Sequence, residues 1–141
     1  MAEAKTWVLT DQATRVWVDS IEIGPDDLGL ADEGWSIRKT TLRGGPSDGV
    51  DIIEVDNGAL SFSVLPTRGM GIWKGAYKGL DLAWNSPVKG PVHPSLIDLQ
   101  DRGGLGWLAG FDEVVVRCGL DSMGAPGTDV VPNNMGSNSL L

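Results

Sequence analysis

Cysteine and histidine are almost absent from this chain of 141 residues, which contains one of each, Cys118 and His93. A single cysteine cannot form an internal disulfide bond, and one cysteine with one histidine cannot supply the ligands of a usual structural zinc site. The sequence therefore excludes a disulfide scaffold and a zinc finger. It gives no reason to expect a metal ion.

Basic residues are also scarce, since 11 Lys and Arg stand against 19 Asp and Glu, a formal net charge of −8. Without a cluster of Lys or Arg, such a surface repels phosphate backbones, so a nucleic-acid partner is not expected. No apolar run is long enough to span a bilayer, and the first residues lack the pattern of a secretory signal. We therefore expect a cytoplasmic protein with no membrane partner, and the composition leaves its oligomeric state open.

Glycine and proline are abundant, at 20 and 8 residues, and they divide the chain into short segments. Within these segments apolar and polar residues alternate, which is the period of a β-strand rather than of a helix. The predicted strands cover residues 15–23, 35–42, 50–55, 59–65, 70–77, 80–84 and 112–120, with a further short candidate at 6–10. The sequence thus predicts an all-β, mostly antiparallel fold.

Two hairpins are the strongest local predictions. The strands at 50–55 and 59–65 flank Asn57-Gly58, a pair that suits a type I′ turn because both central residues need a positive φ. The strands at 70–77 and 80–84 are expected to turn at Lys78-Gly79. In the segment 59–65 the apolar residues share one face and the serines share the other, so one face is expected to pack and the other to stay in water.

Only residues 95–102 have a helical pattern, with Ser95 as the N-cap and Gly103 as the stop. The range 128–141 is rich in Gly, Asn and Ser, and we expect an irregular tail there. One short helix offers little cover for a sheet of about seven strands. Either the sheet curls on itself, or a second sheet comes from residues outside this chain.

Few residues are suited to acid/base chemistry. His93 lies between prolines on a rigid loop and is the candidate general acid or base, although a structural loop histidine is the alternative. Asp112 and Glu113 are adjacent on a predicted strand, so their side chains should point to opposite faces and cannot act on one bond. We therefore assign no catalytic residue. Nothing in the sequence calls for a cofactor.

Three residues are candidates for ligand binding. Arg68 lies where the two hairpins meet, and a structural role against backbone carbonyls and a ligand role both remain open. Trp107 is one of six tryptophans, whose rings can stack on sugars but also fill β-rich cores. Arg117 shares a predicted strand face with Val115 and is about 13 Å from Glu113, too far to pair with it.

Five motifs in order along the chain resemble a family of aldose 1-epimerase-like proteins within the galactose mutarotase-like superfamily. They are LPTRGMGI at 65–72, WNSP at 84–87, GPVHP at 90–94, GLGWL at 104–108 and RCGL at 117–120. The resemblance runs from about residue 8 to residue 127. It implies the N-terminal part of a β-supersandwich that binds a sugar or sugar-like molecule on its concave face without a cofactor.

In mutarotases a histidine protonates the ring oxygen and a glutamate deprotonates the anomeric hydroxyl, so that the ring opens and closes as the other anomer. Both residues lie in a later part of those proteins, and neither is carried over to this chain. The resemblance implies pocket or scaffold roles for Arg68, Trp107 and Arg117. Residues 1–141 are then expected to be the N-terminal portion of a single mutarotase-like domain, truncated relative to the family.

Three functional hypotheses follow from the sequence. The first is an aldose 1-epimerase-like isomerase of carbohydrate metabolism whose chemistry needs residues outside this chain. The second is a non-catalytic module that binds a carbohydrate, and the third is an interaction fragment without a ligand. In each case we expect the 141 residues alone to be inactive as an epimerase.

Overall fold

A computed structural model of the chain describes residues 4–30, 34–115, 129–133 and 136–140. Over these residues the protein consists mainly of antiparallel strands, as the sequence predicts. The strands are β1 (Thr10–Asp11), β2 (Val16–Trp17), β3 (Ile21–Ile23), β4 (Ser36–Thr41), β5 (Asp51–Asp56), β6 (Leu60–Leu65), β7 (Gly71–Tyr77), β8 (Leu80–Leu82), β9 (Asp129–Asn133) and β10 (Gly136–Leu140). One short helix, α1, covers Asp101–Gly104.

The main sheet contains six strands in sequence order, β3 to β8, each antiparallel to its neighbours. Residues directly opposite one another share a face, so the register assigns every side chain to one side. One face carries a row formed by Glu22, Arg38, Glu54, Ser63 and Lys74. This row is therefore mostly charged across five strands, and the buried Ile52 and Leu65 lie on the same face, beyond the end of the row.

The opposite face is apolar. One row crosses all six strands and consists of Ile23, Ile37, Val55, Phe62, Gly75 and Leu82. The charged pair on this face, Lys39 and Asp51, is buried and joined at 3.0 Å. Much of the face near β8 is uncovered, since Leu80 is 68% exposed and Leu82 is 45% exposed. The described sheet is thus one layer of a sandwich with its apolar side open.

A small buried core lies at the end of the sheet where β5 starts and β6 ends. It consists of Val50, Ile52 and Leu65, with Leu42 and Trp73 packed against it. Trp73 reaches this cluster because the register between β6 and β7 shifts after Ser63, which makes Trp73 an extra residue in its strand. A bulge of this kind redirects a side chain toward the face where the core sits.

Both predicted hairpins are present, but their turns differ from expectation. The two-residue turn with positive φ at both positions is Lys78-Gly79, at 49° and 81°. The turn type predicted for Asn57-Gly58 is wrong, because only Gly58 has a positive φ. The Asn57 side chain instead accepts hydrogen bonds from the N–H groups of Ala59 and Leu60 and closes a longer turn.

Other predicted boundaries shift. The strand predicted at 15–23 is broken into β2 and β3. The helix expected at 95–102 is displaced: a 3₁₀ turn covers Pro94–Leu96 and α1 lies at Asp101–Gly104, because the backbone is extended at Ile97, where the first turn ends. Where an irregular tail was expected, the described residues form the paired strands β9 and β10. The strand predicted at 112–120 begins with a bridge between Val115 and Ile72, and residues 116–120 lie outside the described residues.

The glycines at the two hairpin turns allow a paired test. Gly58 and Gly79 have nearly equal φ values, 82° and 81°. A Cβ on Gly79 meets open space, whereas a Cβ on Gly58 would lie 3.0 Å from the Gly34 carbonyl oxygen. We expect G79A to lower the free energy of unfolding by about 1–2 kcal/mol through backbone strain alone, and G58A to lower it more. Urea unfolding measures both; an equal or smaller loss in G58A would contradict the contact.

Candidate functional site

Residues 83–111 connect β8 to the last bridge of the sheet without a long helix or strand. The segment is fixed to the core end of the sheet by hydrogen bonds: Ser47 Oγ donates to the Pro91 carbonyl at 2.6 Å, and the His93 N–H donates to the Pro46 carbonyl at 2.7 Å. Because glycines and prolines are frequent here, its backbone can follow the sheet end closely. It forms most of the wall of the candidate site.

Arg68 is the centre of this arrangement. It follows β6 in a 3₁₀ turn, Pro66–Arg68, and its guanidinium donates three hydrogen bonds. Nε donates to Glu113 Oε1 at 2.6 Å, Nη1 to the Val92 carbonyl at 2.8 Å and Nη2 to the Gly110 carbonyl at 2.7 Å. The structure therefore brings the end of β6, the irregular segment and the start of the last bridge together on one cation.

Two of the three residues predicted to bind a ligand meet in one pocket. Arg68 and Trp107 line a cavity of about 250 Å³ together with Pro94, Ile97 and Leu99. The Trp107 ring is partly exposed and packs edge-on against Phe111, with ring centroids 5.2 Å apart. The third predicted residue, Arg117, lies outside the described residues. Cys118 lies outside them as well.

Gly106 in the GLGWL segment and Gly110 just after it have a packing role that the sequence did not reveal. A Cβ on Gly106 would lie 1.7 Å from the Asp98 carbonyl oxygen, so no larger residue fits that backbone. A Cβ on Gly110 would lie 2.8 Å from Ile97 Cδ1 and 3.0 Å from Arg68 Nη1. These close approaches let the segment fold over the pocket and place the Gly110 carbonyl on Arg68.

His93 has a structural position rather than a place in the pocket lining. Its Nδ1 accepts a hydrogen bond from the Ser95 N–H at 3.2 Å and lies 2.7 Å from Ser95 Oγ. The side chain thereby caps the 3₁₀ turn at Pro94–Leu96. The arrangement agrees with the structural alternative considered for His93.

Asp112 and Glu113 are both buried, at 4% and 6% exposure. Glu113 pairs with Arg68, and its Oε2 accepts the Asp112 N–H at 3.3 Å. The Asp112 carboxyl oxygens have no hydrogen-bond partner among the described residues. Burial, together with the negative charge of Glu113, raises the pKa of Asp112 to about 6, and the nearby Arg68 opposes this rise.

The pocket offers binding groups but little acid/base chemistry. Of its described lining residues, Arg68 alone is charged, and an arginine side chain stays protonated in proteins. Across the part of the chain that the structure describes, no group of three or more His, Cys, Asp and Glu could hold a metal ion. Nor does any helix in those ranges have the length and apolarity needed to cross a bilayer.

A second depression, of about 460 Å³, lies on the charged face of the main sheet. Its lining includes Arg38, Glu54 and Lys74 from the row described above, together with serines of β4 and β6. A polar, charged sheet face is normally in contact with water. The pocket at Arg68 and Trp107 is the better candidate site.

Comparisons with known proteins agree with this architecture. The family model described as "Domain of unknown function (DUF4432)" matches residues 47–136. The solved structure of a candidate aldose 1-epimerase from Klebsiella pneumoniae subsp. pneumoniae MGH 78578 is similar, with 38% sequence identity and a TM-score of 0.73. The match covers 77% of this chain and 29% of that protein. A search of curated proteins gave no match. The resemblance and the sandwich fold inferred from the motifs are thereby confirmed.

The Arg68–Glu113 pair generates a stability prediction. In R68M the buried carboxyl of Glu113 loses its cation while Asp112 remains beside it, so we expect the free energy of unfolding to fall by about 3–5 kcal/mol. The matched control is R38M, which breaks the exposed pair of Arg38 and Glu22 at 3.1 Å and should cost at most about 1 kcal/mol. Chemical denaturation of both variants measures the difference, and similar losses would refute the central role of Arg68.

The raised pKa of Asp112 generates a pH prediction. Between pH 3.8 and about 6 the unfolded chain loses this proton while the folded protein keeps it. Stability should therefore fall as pH rises through this window and change no further, on account of this group, above about pH 7. In D112N that dependence disappears, and the variant should gain stability relative to the unsubstituted chain by roughly 1–3 kcal/mol across the window. Urea unfolding from pH 4 to 8 measures this, and parallel pH profiles would contradict it.

Proposed function

Because the chain belongs to the DUF4432 family and has an aldose 1-epimerase-like sandwich fold, we propose that it binds a carbohydrate in the pocket of Arg68 and Trp107. The observation that carries the proposal is the meeting of an exposed indole ring and an arginine in one cavity of about 250 Å³. Sugars are recognised by such pairs, since their CH faces stack on aromatic rings and their oxygens accept hydrogen bonds from arginine.

We propose that anomer interconversion belongs to the longer proteins of this type, in which this chain corresponds to the N-terminal portion of one mutarotase-like domain. The similar Klebsiella protein is much longer, and the chain spans 29% of its length. Ring opening needs an acid and a base on the two sides of the anomeric centre. Arg68 cannot supply either, while His93, Asp112 and Glu113 do not line the pocket. The chain therefore binds and orients a sugar without converting it.

The alternative is an interaction fragment, and the open apolar face of the sheet favours it. Tyr77, Leu80 and Leu82 lie on that face together with Val115, and all four are exposed. Contiguous apolar surface of this kind is typical of contact sites for other polypeptides. The two hypotheses use different surfaces, because the pocket lies at the end of β6 and this patch lies on β7 and β8.

A substitution at Trp107 distinguishes them. We expect W107A to weaken binding of a monosaccharide at least about tenfold because the stacking ring is lost, and W107F to weaken it less. Titration calorimetry with D-glucose, D-galactose, D-mannose and their 6-deoxy forms measures the affinity.

The control is W17A, which removes a comparably exposed tryptophan near Lys39, remote from the pocket lining. Equal affinity in W107A and W17A would overturn the assigned pocket, and no heat with any sugar would favour the interaction fragment. Polarimetry of the same samples should show no acceleration of anomer interconversion over buffer.

A further inference from the structure

The pocket is strongly asymmetric in polarity. Arg68 is its one charged lining residue, and the other lining residues are Pro94, Ile97, Leu99 and Trp107. None of these four side chains accepts a hydrogen bond, and only the indole N–H of Trp107 could donate one. A ligand in this cavity therefore meets hydrogen-bond donors on Arg68 and mostly carbon on the other lining side chains.

The guanidinium can serve only a limited part of a ligand. It has five N–H donors, and Glu113, the Val92 carbonyl and the Gly110 carbonyl each take one of them. Two donors remain for ligand oxygens. Because Glu113 lies 2.6 Å from Nε, the positive charge is already paired, so the guanidinium suits a neutral hydroxyl or ring oxygen.

A fully hydroxylated hexose does not match this distribution. With its ring face on Trp107 and a hydroxyl on Arg68, such a sugar has only Pro94, Ile97 and Leu99 as its remaining contacts among the lining residues. A hydroxyl beside these side chains finds no hydrogen-bond partner on them, whereas a methyl group gains apolar contact. The exocyclic C6 position is the one at which removal of the oxygen leaves a projecting methyl group.

We infer that the pocket prefers 6-deoxyhexoses to the corresponding hexoses. This inference rests on the carbohydrate binding proposed above and adds the chemical class of the sugar. The discrimination lies in the apolar wall formed by Ile97 and Leu99, while Arg68 and Trp107 provide the attraction common to both kinds of sugar.

The test compares sugars that differ only at C6, D-galactose with 6-deoxy-D-galactose and D-glucose with 6-deoxy-D-glucose. For each pair that binds the 141-residue chain, calorimetry should give a dissociation constant about tenfold lower for the deoxysugar. Equal affinities, or tighter binding of the hexose, overturn the inference while leaving carbohydrate binding intact. Absence of binding by all four sugars overturns the proposed function and this inference with it.

A pair of leucines supplies a matched control for the wall. Leu99 lines the pocket and Leu96 does not, although both are 61% exposed and neither belongs to the core. In L99N the new amide can bind a hydroxyl, so the preference for the deoxysugar should shrink to about twofold or less, while L96N should keep it. A ratio that is unchanged in L99N, or lost equally in both variants, contradicts the assigned wall.

Discussion

The ion pair between Arg68 and Glu113 is the contact on which this part of the molecule depends. Its partners are 45 residues apart in the sequence, and the same guanidinium also holds the Val92 and Gly110 carbonyls. An irregular segment has no ladder of its own to satisfy its backbone groups, so a buried cation with several donors is an effective substitute. The pocket depends on this side chain because Arg68 lines it and also binds two backbone carbonyls of the irregular segment that forms most of its wall.

The division of the main sheet into a charged face and an apolar face explains how an acidic chain can build such a layer. The row containing Arg38, Glu54 and Lys74 keeps its charges on the side that faces water. The buried pair of Lys39 and Asp51 leaves the other face without net charge. A neutral, largely apolar face is suited to packing against a second sheet at about 10 Å, as in sandwich proteins. The end of the sheet where β5 starts and β6 ends, which carries the core, remains free to form a binding site.

Much of the sheet could be predicted from the sequence, because alternation and turn residues act locally. Strands β4, β6, β7 and β8 fall within the predicted segments, β5 ends one residue beyond its segment, and the second hairpin turns at Lys78-Gly79 as expected. The bulge at Trp73 could not be predicted, since it depends on the register of a neighbouring strand. For the site, the motifs indicated Arg68 and Trp107, but no local pattern reveals that residues 39 positions apart share a pocket. The partners of Arg68 and the burial of Asp112 arise only from tertiary packing.

The chemistry of the candidate site follows from what surrounds each polar group. Arg68 is a donor that cannot release its proton, and its charge is compensated by Glu113, so it is suited to hydrogen bonding rather than to acid/base chemistry. Asp112 has a pKa of about 6, a value suited to proton transfer, but it is almost fully buried and does not line the pocket. A perturbed pKa marks a catalytic group only when the group can reach the substrate. The described lining residues therefore offer binding groups and no acid/base pair.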